Sequence, residues 1–437
     1  MKAAVGSTRR RRSGSGFTLI ELMFSLVVGS IALTAIYTVI GGSTRVFHEQ
    51  HRLSGMQTSL RNAMTRVTRD IQRAGYLSTP AANADDDSCE KPDTSGRGVG
   101  LPLRDIYLDG THFAAIANWT ELSPPGLYAA ANDVLEPNYA GAAVPGLGTR
   151  MDSLTLLANY ETSSQYAGTS LIPGLTNRIT IEPTWHAFEN DFTTWAGDPT
   201  TPVIVDIDAF REAFRVGRAM RLQTVSGKKH FAVISAVDPA GGACMNSGTE
   251  PWRPLCITFE PAVPNDCQAE ARGSAFSAPI SFMKYHLEKA IPIGPDVALE
   301  QEVTGLNIQL KRTEMSPVEP DVVFQAGSQT VILDYASMFN VQFIGNTQHG
   351  QDLPDVVNRT VLMNPMNPGE RPEWVRSVIV EMATRSPIQD PRFPWPSAGT
   401  PDPVSRFLVH EDGRAGSARV RYARAEVFTP NIAIGGH

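Results

Sequence analysis

The chain has 437 residues, 42% hydrophobic and 19% charged, which is an ordinary composition for a folded protein with a large core or two subdomains. The formal net charge is −7 and would fall to −12 without the five basic residues near the start, Lys2 and Arg9 to Arg12. A body of that charge is a poor nucleic-acid binder. The 36 Gly and 32 Pro favour a β-rich body with many turns.

The first predicted element is an apolar helix over Phe17 to Ile40, a stretch of 24 residues with one charge, Glu21. At about 1.5 Å per residue such a helix crosses a hydrocarbon core of about 30 Å. The arginines at Arg9 to Arg12 precede it, so the positive-inside rule places the N-terminus in the cytoplasm.

Three common interpretations of this segment do not explain the presence of Glu21. A secretory signal peptide or a twin-arginine signal would have the basic start, but the apolar run is long for either and contains an acid. A simple one-pass anchor accounts for length and orientation. It gives no reason for a carboxylate that costs about 2.5–3.5 kcal/mol at mid-membrane.

The hexapeptide GFTLIE, Gly16 to Glu21, resembles the processing site of type IV prepilins and pseudopilins. The resemblance implies that a prepilin peptidase cuts after Gly16 and methylates the new amino group of Phe17. Glu21 then lies about one helical turn from a positive amine and can meet the amine of a neighbouring subunit. Because an unpaired buried charge is strongly unfavourable, Glu21 would fix the register of an open filament.

The helical pattern continues beyond the apolar run. Apolar residues recur at helical spacing, at Val46, Leu53, Met56, Leu60, Met64, Val67 and Ile71. We therefore predict one helix from about Phe17 to Ala74, with a soft point at Gly41-Gly42 and a left-handed end at Gly75. Arg69-Asp70 followed by Ala74-Gly75-Tyr76 resembles the end of this helix in PilW-like minor pilins. The J-class minor pseudopilin of type II secretion is similar here.

The domain organisation predicted is a basic leader at 1–16, a helix at 17–74 with its membrane part at 17–40, and a periplasmic β-rich domain at 75–437. An irregular insertion is expected around 78–150, where Pro, Gly, Asn and Asp are frequent. A short helix is predicted over Asp206 to Phe214. Strands are predicted at Ser153–Tyr160, Arg178–Glu182, Arg218–Val225, His230–Val237, Leu255–Glu260, Ile280–Glu288, Gly305–Lys311, Gln329–Asp334, Phe339–Ile344, Val375–Thr384 and Ala418–Phe428.

These elements predict an α+β fold of the type IV pilin-like kind. In it a long N-terminal α-helix packs on an antiparallel, β-sheet-rich C-terminal domain with large loop insertions. Several short runs also resemble strands of PilW-like chains, in the same order: Val216-Gly217-Arg218, Leu310-Lys311-Arg312, Val375 to Ser386, and Val427 to Asn431.

The four cysteines, Cys89, Cys244, Cys256 and Cys267, form no C-x-x-C pair, so their spacing does not favour zinc. An even number behind a membrane-targeting start favours disulfides in an oxidising compartment. Cys244 and Cys256 flank a loop between two predicted strands, which would leave Cys89 to pair with Cys267. Three connectivities are open, and the sequence alone does not choose among them.

No motif for catalysis is found: the chain lacks G-x-x-x-x-G-K-[ST], H-E-x-x-H and G-x-S-x-G. The acidic run Asp85 to Asp87 is interpreted as a solvated loop, because it has no complete EF-hand pattern. His48 and His51, three apart on the helix, are interpreted as solvated or as subunit contacts. The Pro-rich run at 391–403 favours a rigid surface loop. We predict no enzyme, no cofactor and no metal.

The resemblance implies a minor pilin, incorporated at or near the tip of a type IV pilus. There it would prime assembly and support docking of an adhesin or another partner. The partners implied are major and minor pilins, prepilin peptidase, the inner-membrane assembly platform and a tip adhesin. The precursor would be a single-pass inner-membrane protein that later enters the pilus. The alternatives are a minor pseudopilin of type II secretion or DNA uptake, and a membrane-anchored periplasmic binding module or hydrolase.

Overall fold

The structure is a computed structural model. The residues that it describes are 17–78, 89, 116–119, 153–171, 177–181, 186–194, 204–238, 255–260, 262–264, 267–268, 275–289, 308–316, 323–345, 355–357, 375–387, 406–408 and 417–431. The chain divides into two compact units, Met1–Gly55 and Met56–His437.

One long helix, α1, spans Leu19–Arg73 and is helical throughout Gly41-Gly42. In the first unit its large apolar side chains are exposed; Phe24, for example, is 70% exposed. A helix whose apolar residues all face outward needs a membrane or other protein around it.

In the second unit, one face of α1 is buried. Its core residues recur every three or four positions: Met56, Leu60, Ala63, Val67 and Ile71. Beyond the helix, Gly75 adopts the predicted left-handed conformation, with φ of 80°. The Gly75 N–H donates to the carbonyl of Leu157, which ties the end of the helix to a strand.

Among the described residues, the other elements with given bounds are two short helices and a series of strands. The helices are α2 (His186–Phe192) and α3 (Ile207–Ala213). The strands are β1 (Ile116–Trp119), β2 (Ser153–Ala158), β3 (Tyr166–Leu171), β4 (Arg178–Ile181), β5 (Thr193–Thr194), β6 (Ile204–Val205), β7 (Ala219–Thr224), β8 (Lys229–Asp238), β9 (Leu255–Glu260), β10 (Ala275–Lys289), β11 (Ile308–Ser316), β12 (Val323–Leu333), β13 (Ala336–Gly345), β14 (Asp355–Val357), β15 (Val375–Arg385), β16 (Arg406–Leu408) and β17 (Ser417–Phe428).

The larger sheet is built around the long strand β10. The first half of β10 pairs with β3 and β7, and its second half pairs with β2 and β11. The sheet path runs β1-β2-β10-β3-β4-β9-β8-β7, with β11 beside β10 and β12 beside β11. Every described pairing is antiparallel, and β5–β6 forms a separate two-stranded ribbon.

The second sheet has the order β14-β13-β15-β17-β16. Strands β12 and β13 are joined by a tight turn in which Tyr335 has a φ of 52°. The buried face of α1 packs with apolar residues of both sheets in one core cluster, including Leu156, Leu310, Phe339 and Val380.

A second hydrophobic core is formed by aromatic residues of α2, α3 and their surroundings. Tyr166, Phe188, Phe192, Phe210 and Phe214 have ring centroids 5.0–6.5 Å apart, in edge-on and tilted arrangements. They pack with apolar residues of β4, β7, β8 and β9. Such aromatic pairs favour these geometries over face-to-face stacking.

The predicted fold class is confirmed, because a long N-terminal helix leads into a domain of antiparallel sheets. The insertion around 78–150 is not wholly irregular: β1 within it pairs with β2. Cys89, in the same insertion, forms a disulfide with Cys267 across 178 residues. Cys256 is also disulfide-bonded, whereas Cys244 and the acidic run Asp85 to Asp87 lie outside the described residues.

Candidate functional site

The start of α1 is closed by a reciprocal pair of hydrogen bonds between Thr18 and Glu21. The backbone N–H of Thr18 donates to Glu21 Oε2 at 3.0 Å, and the N–H of Glu21 donates to Thr18 Oγ1 at 3.3 Å. The Thr18 hydroxyl also donates to Glu21 Oε2, at 3.0 Å. This is a capping box, in which a Thr and a Glu three residues later satisfy N–H groups that the helix leaves without partners.

The capping box leaves one carboxylate oxygen open. Among the described residues the hydrogen bonds to the Glu21 carboxylate all reach Oε2, and none reaches Oε1. The carboxylate also lies in the first turn of α1, where the helix dipole favours a negative charge. Glu21 can therefore cap its own helix and still accept a hydrogen bond from outside.

The serine and threonine hydroxyls further along the apolar segment form hydrogen bonds within the helix. The hydroxyls of Ser25, Ser30, Thr34 and Thr38 each donate to a backbone carbonyl three or four residues earlier, at 2.7–2.8 Å. Such bonds matter in lipid, where no water can replace a missing partner. Glu21 is the one charged residue between Phe17 and Thr44.

Within the described residues, α1 is the helix that is long and apolar enough to cross a membrane, with a mean hydropathy of 2.2 over its most apolar 18 residues. Phe17, just before the capping box, is 83% exposed. Gly16 and the basic leader lie outside the described residues.

A second polar site joins the buried end of α1 to the larger sheet, and we name it the Asp70 clasp. Its members are Asp70, Tyr160, Tyr285 and Arg312. The Asp70 side chain is 5% exposed. Its Oδ2 atom accepts hydrogen bonds from the Tyr285 hydroxyl at 2.6 Å and from Arg312 Nε at 2.8 Å. The Tyr160 hydroxyl donates to the Asp70 carbonyl at 3.0 Å.

Electrostatic interactions in the clasp keep Arg312 charged and Tyr285 protonated. Burial works against a charge on Arg312, but the neighbouring Asp70 carboxylate outweighs it and raises the pKa of the guanidinium. Burial first, and the Asp70 charge second, raise the pKa of the Tyr285 hydroxyl, so it stays protonated and donates. Charge-assisted bonds of this kind are stronger than neutral ones.

The Tyr160 ring lies close to two guanidinium groups. The Cζ atoms of Arg73 and Arg312 are each 5.8 Å from its centroid, within the range of cation–π attraction. Arg73 also donates from Nη2 to the carbonyls of Asn159 and Thr162, at 2.9 and 3.0 Å. The last turn of α1 is thus bound to the strand end and loop that follow β2.

A buried ion pair braces the α3 side of the domain. Arg218 and Glu314 form two hydrogen bonds, from Nε at 2.6 Å and from Nη2 at 2.9 Å. Arg218 Nη1 also donates to the carbonyl of Ala213, in the last turn of α3, where a cation suits the helix dipole. Arg215 makes a further ion pair to Glu314.

The sequence singled out several of these residues without pairing them. Asp70 and Arg312 were each noted in a PilW-like run, and the structure brings them into contact over 242 residues of chain. The capping box was missed, although the spacing of Thr18 and Glu21 is the S/T-x-x-E signature. Tyr160, Tyr285 and Glu314 carried no sequence signal as site residues.

A cleft beside Arg73 contains three carboxylates, Glu161, Asp191 and Glu212. Each has a partner: Arg218 for Glu161, the Tyr166 hydroxyl for Asp191, and Arg215 for Glu212. Among the described residues no group of three or more His, Cys, Asp or Glu could hold a metal ion. His48 and His51 instead have rings near that of Phe47.

Comparisons with known proteins agree with the N-terminal geometry. Residues 11–37 match the family model described as the prokaryotic N-terminal methylation motif. The chain carries a prepilin-type methylation motif. Together with the long apolar helix, the motif fits an inner-membrane-anchored precursor.

One solved structure, a type IV-like pilin from Thermus thermophilus, matches with 13% identity over 51% of this chain and 92% of that chain. Its TM-score is 0.17. No curated protein matches the chain. The methylation motif covers the helix start and says nothing of the domain beyond it.

Proposed function

We propose that this chain is a PilW-like minor pilin of a type IV pilus, incorporated at or near the filament tip to prime assembly and support docking of a partner. The observation that carries the proposal is the methylation motif at 11–37, with Glu21 held at the start of an exposed apolar helix. A structural role follows, with other pilins as partners and prepilin peptidase as the processing enzyme.

In this proposal residues 1–16 are a leader that is cut after Gly16. The new amino group of Phe17 is methylated, and residues 17–40 hold the precursor in the inner membrane with its N-terminus in the cytoplasm. The domain from 75 to 437 lies in the periplasm, where its disulfides can persist.

The capping box sharpens the proposed role of Glu21. Oε2 is engaged within the subunit, and Oε1 is open to the Phe17 amine of a neighbouring subunit. A carboxylate that finds no such amine in an apolar filament core would be strongly unfavourable. Glu21 therefore selects the stagger in which each carboxylate meets an amine, and the head-to-tail contact repeats as an open helix.

The deciding experiment measures the N-terminus and mass of the full chain, expressed with and without prepilin peptidase. A mature start at N-methyl-Phe17 that depends on the peptidase supports the proposal. Gly16→Leu should block this cleavage, whereas Gly14→Leu, two residues earlier in the same Ser-Gly repeat, should not. An uncut chain would instead favour a membrane-anchored module, and a cut beyond Ala35 would indicate a cleaved signal peptide; either result would overturn the proposal.

Membership of the pilus is a separate question from processing, because a minor pseudopilin of type II secretion would be processed in the same way. Sheared pili from the native host should contain the mature chain in substoichiometric amount. Deletion of the gene should lower surface piliation and leave type II secretion intact. A loss of secretion with normal piliation would assign the chain to the secretion system.

A further inference from the structure

The last strand of the domain has an edge with no partner among the described residues. Strand β17 pairs with β15 from Val420 to Phe428 on one side. On its other side it pairs with β16, through Ser417 to Arg419. From Val420 to Phe428 no described strand covers this second edge, which is long enough to accept another strand.

The hydrogen bonds at the ends of the β15–β17 ladder show which residues face this edge. Ser386 N–H donates to the Arg419 carbonyl, and Thr429 N–H donates to the Arg376 carbonyl. Odd-numbered residues of β17 therefore bond towards β15, because bonded positions alternate in an antiparallel ladder. The backbone groups that point to the open edge belong to the even-numbered residues: Val420, Tyr422, Arg424, Glu426 and Phe428.

Four of these five residues, Tyr422, Arg424, Glu426 and Phe428, carry exposed side chains, whereas Val420 is partly buried. Phe428 is 71% exposed, Tyr422 is 43% exposed, and the Arg424 side chain is 57% exposed. The charged pair is held in place by the neighbouring strand: Arg424 Nε lies 3.6 Å from Glu381 Oε1, and Glu426 accepts a hydrogen bond from Ser377 at 2.8 Å.

This edge is complementary to itself. When a second copy is placed antiparallel to β17 about Ala425, Arg424 lies opposite Glu426 of the second copy, and Tyr422 lies opposite Phe428 of the second copy. Each pair occurs twice because of the two-fold symmetry. Opposite charges and aromatic pairs are favourable directly across two strands. The neighbouring registers, about Arg424 or Glu426, would place like charges opposite each other.

The ends of the paired segment also fit. Strand β16 covers β17 only up to Arg419, and the sequence before β16 carries Pro401 and Pro403, which have no N–H to donate. At the other end Pro430 follows soon after Phe428. Residues 422–428 of two copies can therefore pair in the proposed register without displacing β16.

We propose that two copies of this chain associate through the β17 edges, in the antiparallel register centred on Ala425. The two-fold contact closes on itself and does not propagate, so it is distinct from the head-to-tail contact of a filament and goes beyond the proposed function. Two chains held in one membrane by their helices have a high effective concentration, which favours this small contact.

Disulfide trapping in membranes tests the register directly. Full-length Arg424→Cys and Glu426→Cys chains, each with a different tag, are co-expressed and their membranes oxidised. Directly opposed bonded positions lie about 5.5 Å apart between Cα atoms, which suits a disulfide. We expect a mixed-tag disulfide dimer at least about tenfold more abundant than that from Val420→Cys with Glu426→Cys, a pair that the register keeps apart. Equal yields in the two combinations, or no dimer in either, would overturn the proposal.

Charge reversal tests the chemistry of the contact, with Ala425→Cys as the reporter, because the two copies of this position meet at the two-fold axis. Arg424→Glu alone should lower the trapped dimer about tenfold, an effect of about 1.4 kcal/mol. Arg424→Glu with Glu426→Arg should restore it, although the contact with Glu381 stays broken. If the charges serve only to protect the edge of a monomer, the double reversal will not restore the dimer, and the proposal fails.

Discussion

The hydroxyl of Tyr285, in the second half of β10, donates a 2.6 Å hydrogen bond to the carboxylate of Asp70, near the end of the long helix. The two residues are 215 positions apart in the chain. Both are buried, and the same carboxylate oxygen also accepts from Arg312. The clasp thus fixes the rotation of the helix about its own axis relative to the sheet. The apolar stripe alone would define this rotation less sharply.

Loss of the Asp70 carboxylate should destabilise the domain strongly. Asp70→Ala leaves the Arg312 guanidinium, whose side chain is 13% exposed, without its carboxylate, and breaking a buried pair in this way costs about 3–5 kcal/mol. Urea unfolding of the full chain in detergent, followed by tryptophan fluorescence, measures the change. Arg69→Ala, an exposed change on the adjacent position, is the matched control and should stay within about 0.5 kcal/mol. Equal effects of the two changes would remove the clasp as a stabilising site.

The Glu314 ion pair predicts a loss of stability in acid. Burial alone would raise the pKa of this carboxyl, but the hydrogen bonds and charge of Arg218, with Arg215, outweigh burial and lower it below 4.5. Because the folded-state pKa is the lower one, the stabilisation is complete above the unfolded value of 4.5 and is lost as pH falls through the folded value.

We therefore expect the difference in unfolding free energy between the natural chain and Glu314→Gln to be largest at pH 7 and to shrink below pH 4.5. Denaturant unfolding between pH 7 and pH 3 measures it. Glu212→Gln, whose side chain is 64% exposed, should show no such convergence. A difference that stays constant down to pH 3 would contradict the shift.

The bond between Cys89 and Cys267 should contribute about 2–5 kcal/mol, because it closes a long loop in the unfolded chain. The double change Cys89→Ser and Cys267→Ser removes the bond without leaving a free thiol. The urea concentration at the midpoint of unfolding should be lower for this variant than for the natural chain under oxidising conditions. Unchanged stability would mean that the insertion around Cys89 is not tied to the sheet in solution.

Glu21 has two roles that substitutions can separate. Glu21→Gln keeps a side chain that can complete the capping box but removes the charge, whereas Thr18→Val removes the cap and keeps the charge. We expect both chains, and Glu21→Val, to insert in the membrane. Only the two Glu21 variants should be depleted from sheared filaments. A depletion of about tenfold corresponds to an ion pair that contributes about 1.4 kcal/mol. Normal incorporation of Glu21→Gln would leave capping as the sole role of this residue.

The predicted strands with clear alternation lie close to those observed. Leu255–Glu260 was predicted with the observed bounds, and Val375–Thr384 is one residue short of β15. The predicted helix at Asp206–Phe214 matches α3 and its caps, because Asp206 is a good N-cap that accepts from the Ala209 N–H. Local chemistry decides such elements, and the sequence contains it.

The sequence did not predict β3, α2 or β14. Strand β3 carries Gly168, where a Cβ atom would meet Ile179 at 2.5 Å, so this position depends on a close approach from β4 that no local pattern records. Strand β14 has three residues and exists only by pairing with β13. The clasp was equally hidden, because Asp70, Tyr285 and Arg312 meet only once the sheet has formed.

The position of β10 in the chain sets the order in which the domain can fold. Strands β2, β3 and β7 all precede β10 and all pair with it, yet β10 begins only at Ala275. During synthesis these earlier strands emerge before the strand that joins them, and their open edges are prone to wrong pairing. A chaperone that shields them until Lys289 has emerged would help this protein most, and chains truncated before Ala275 should be degraded rather than accumulate.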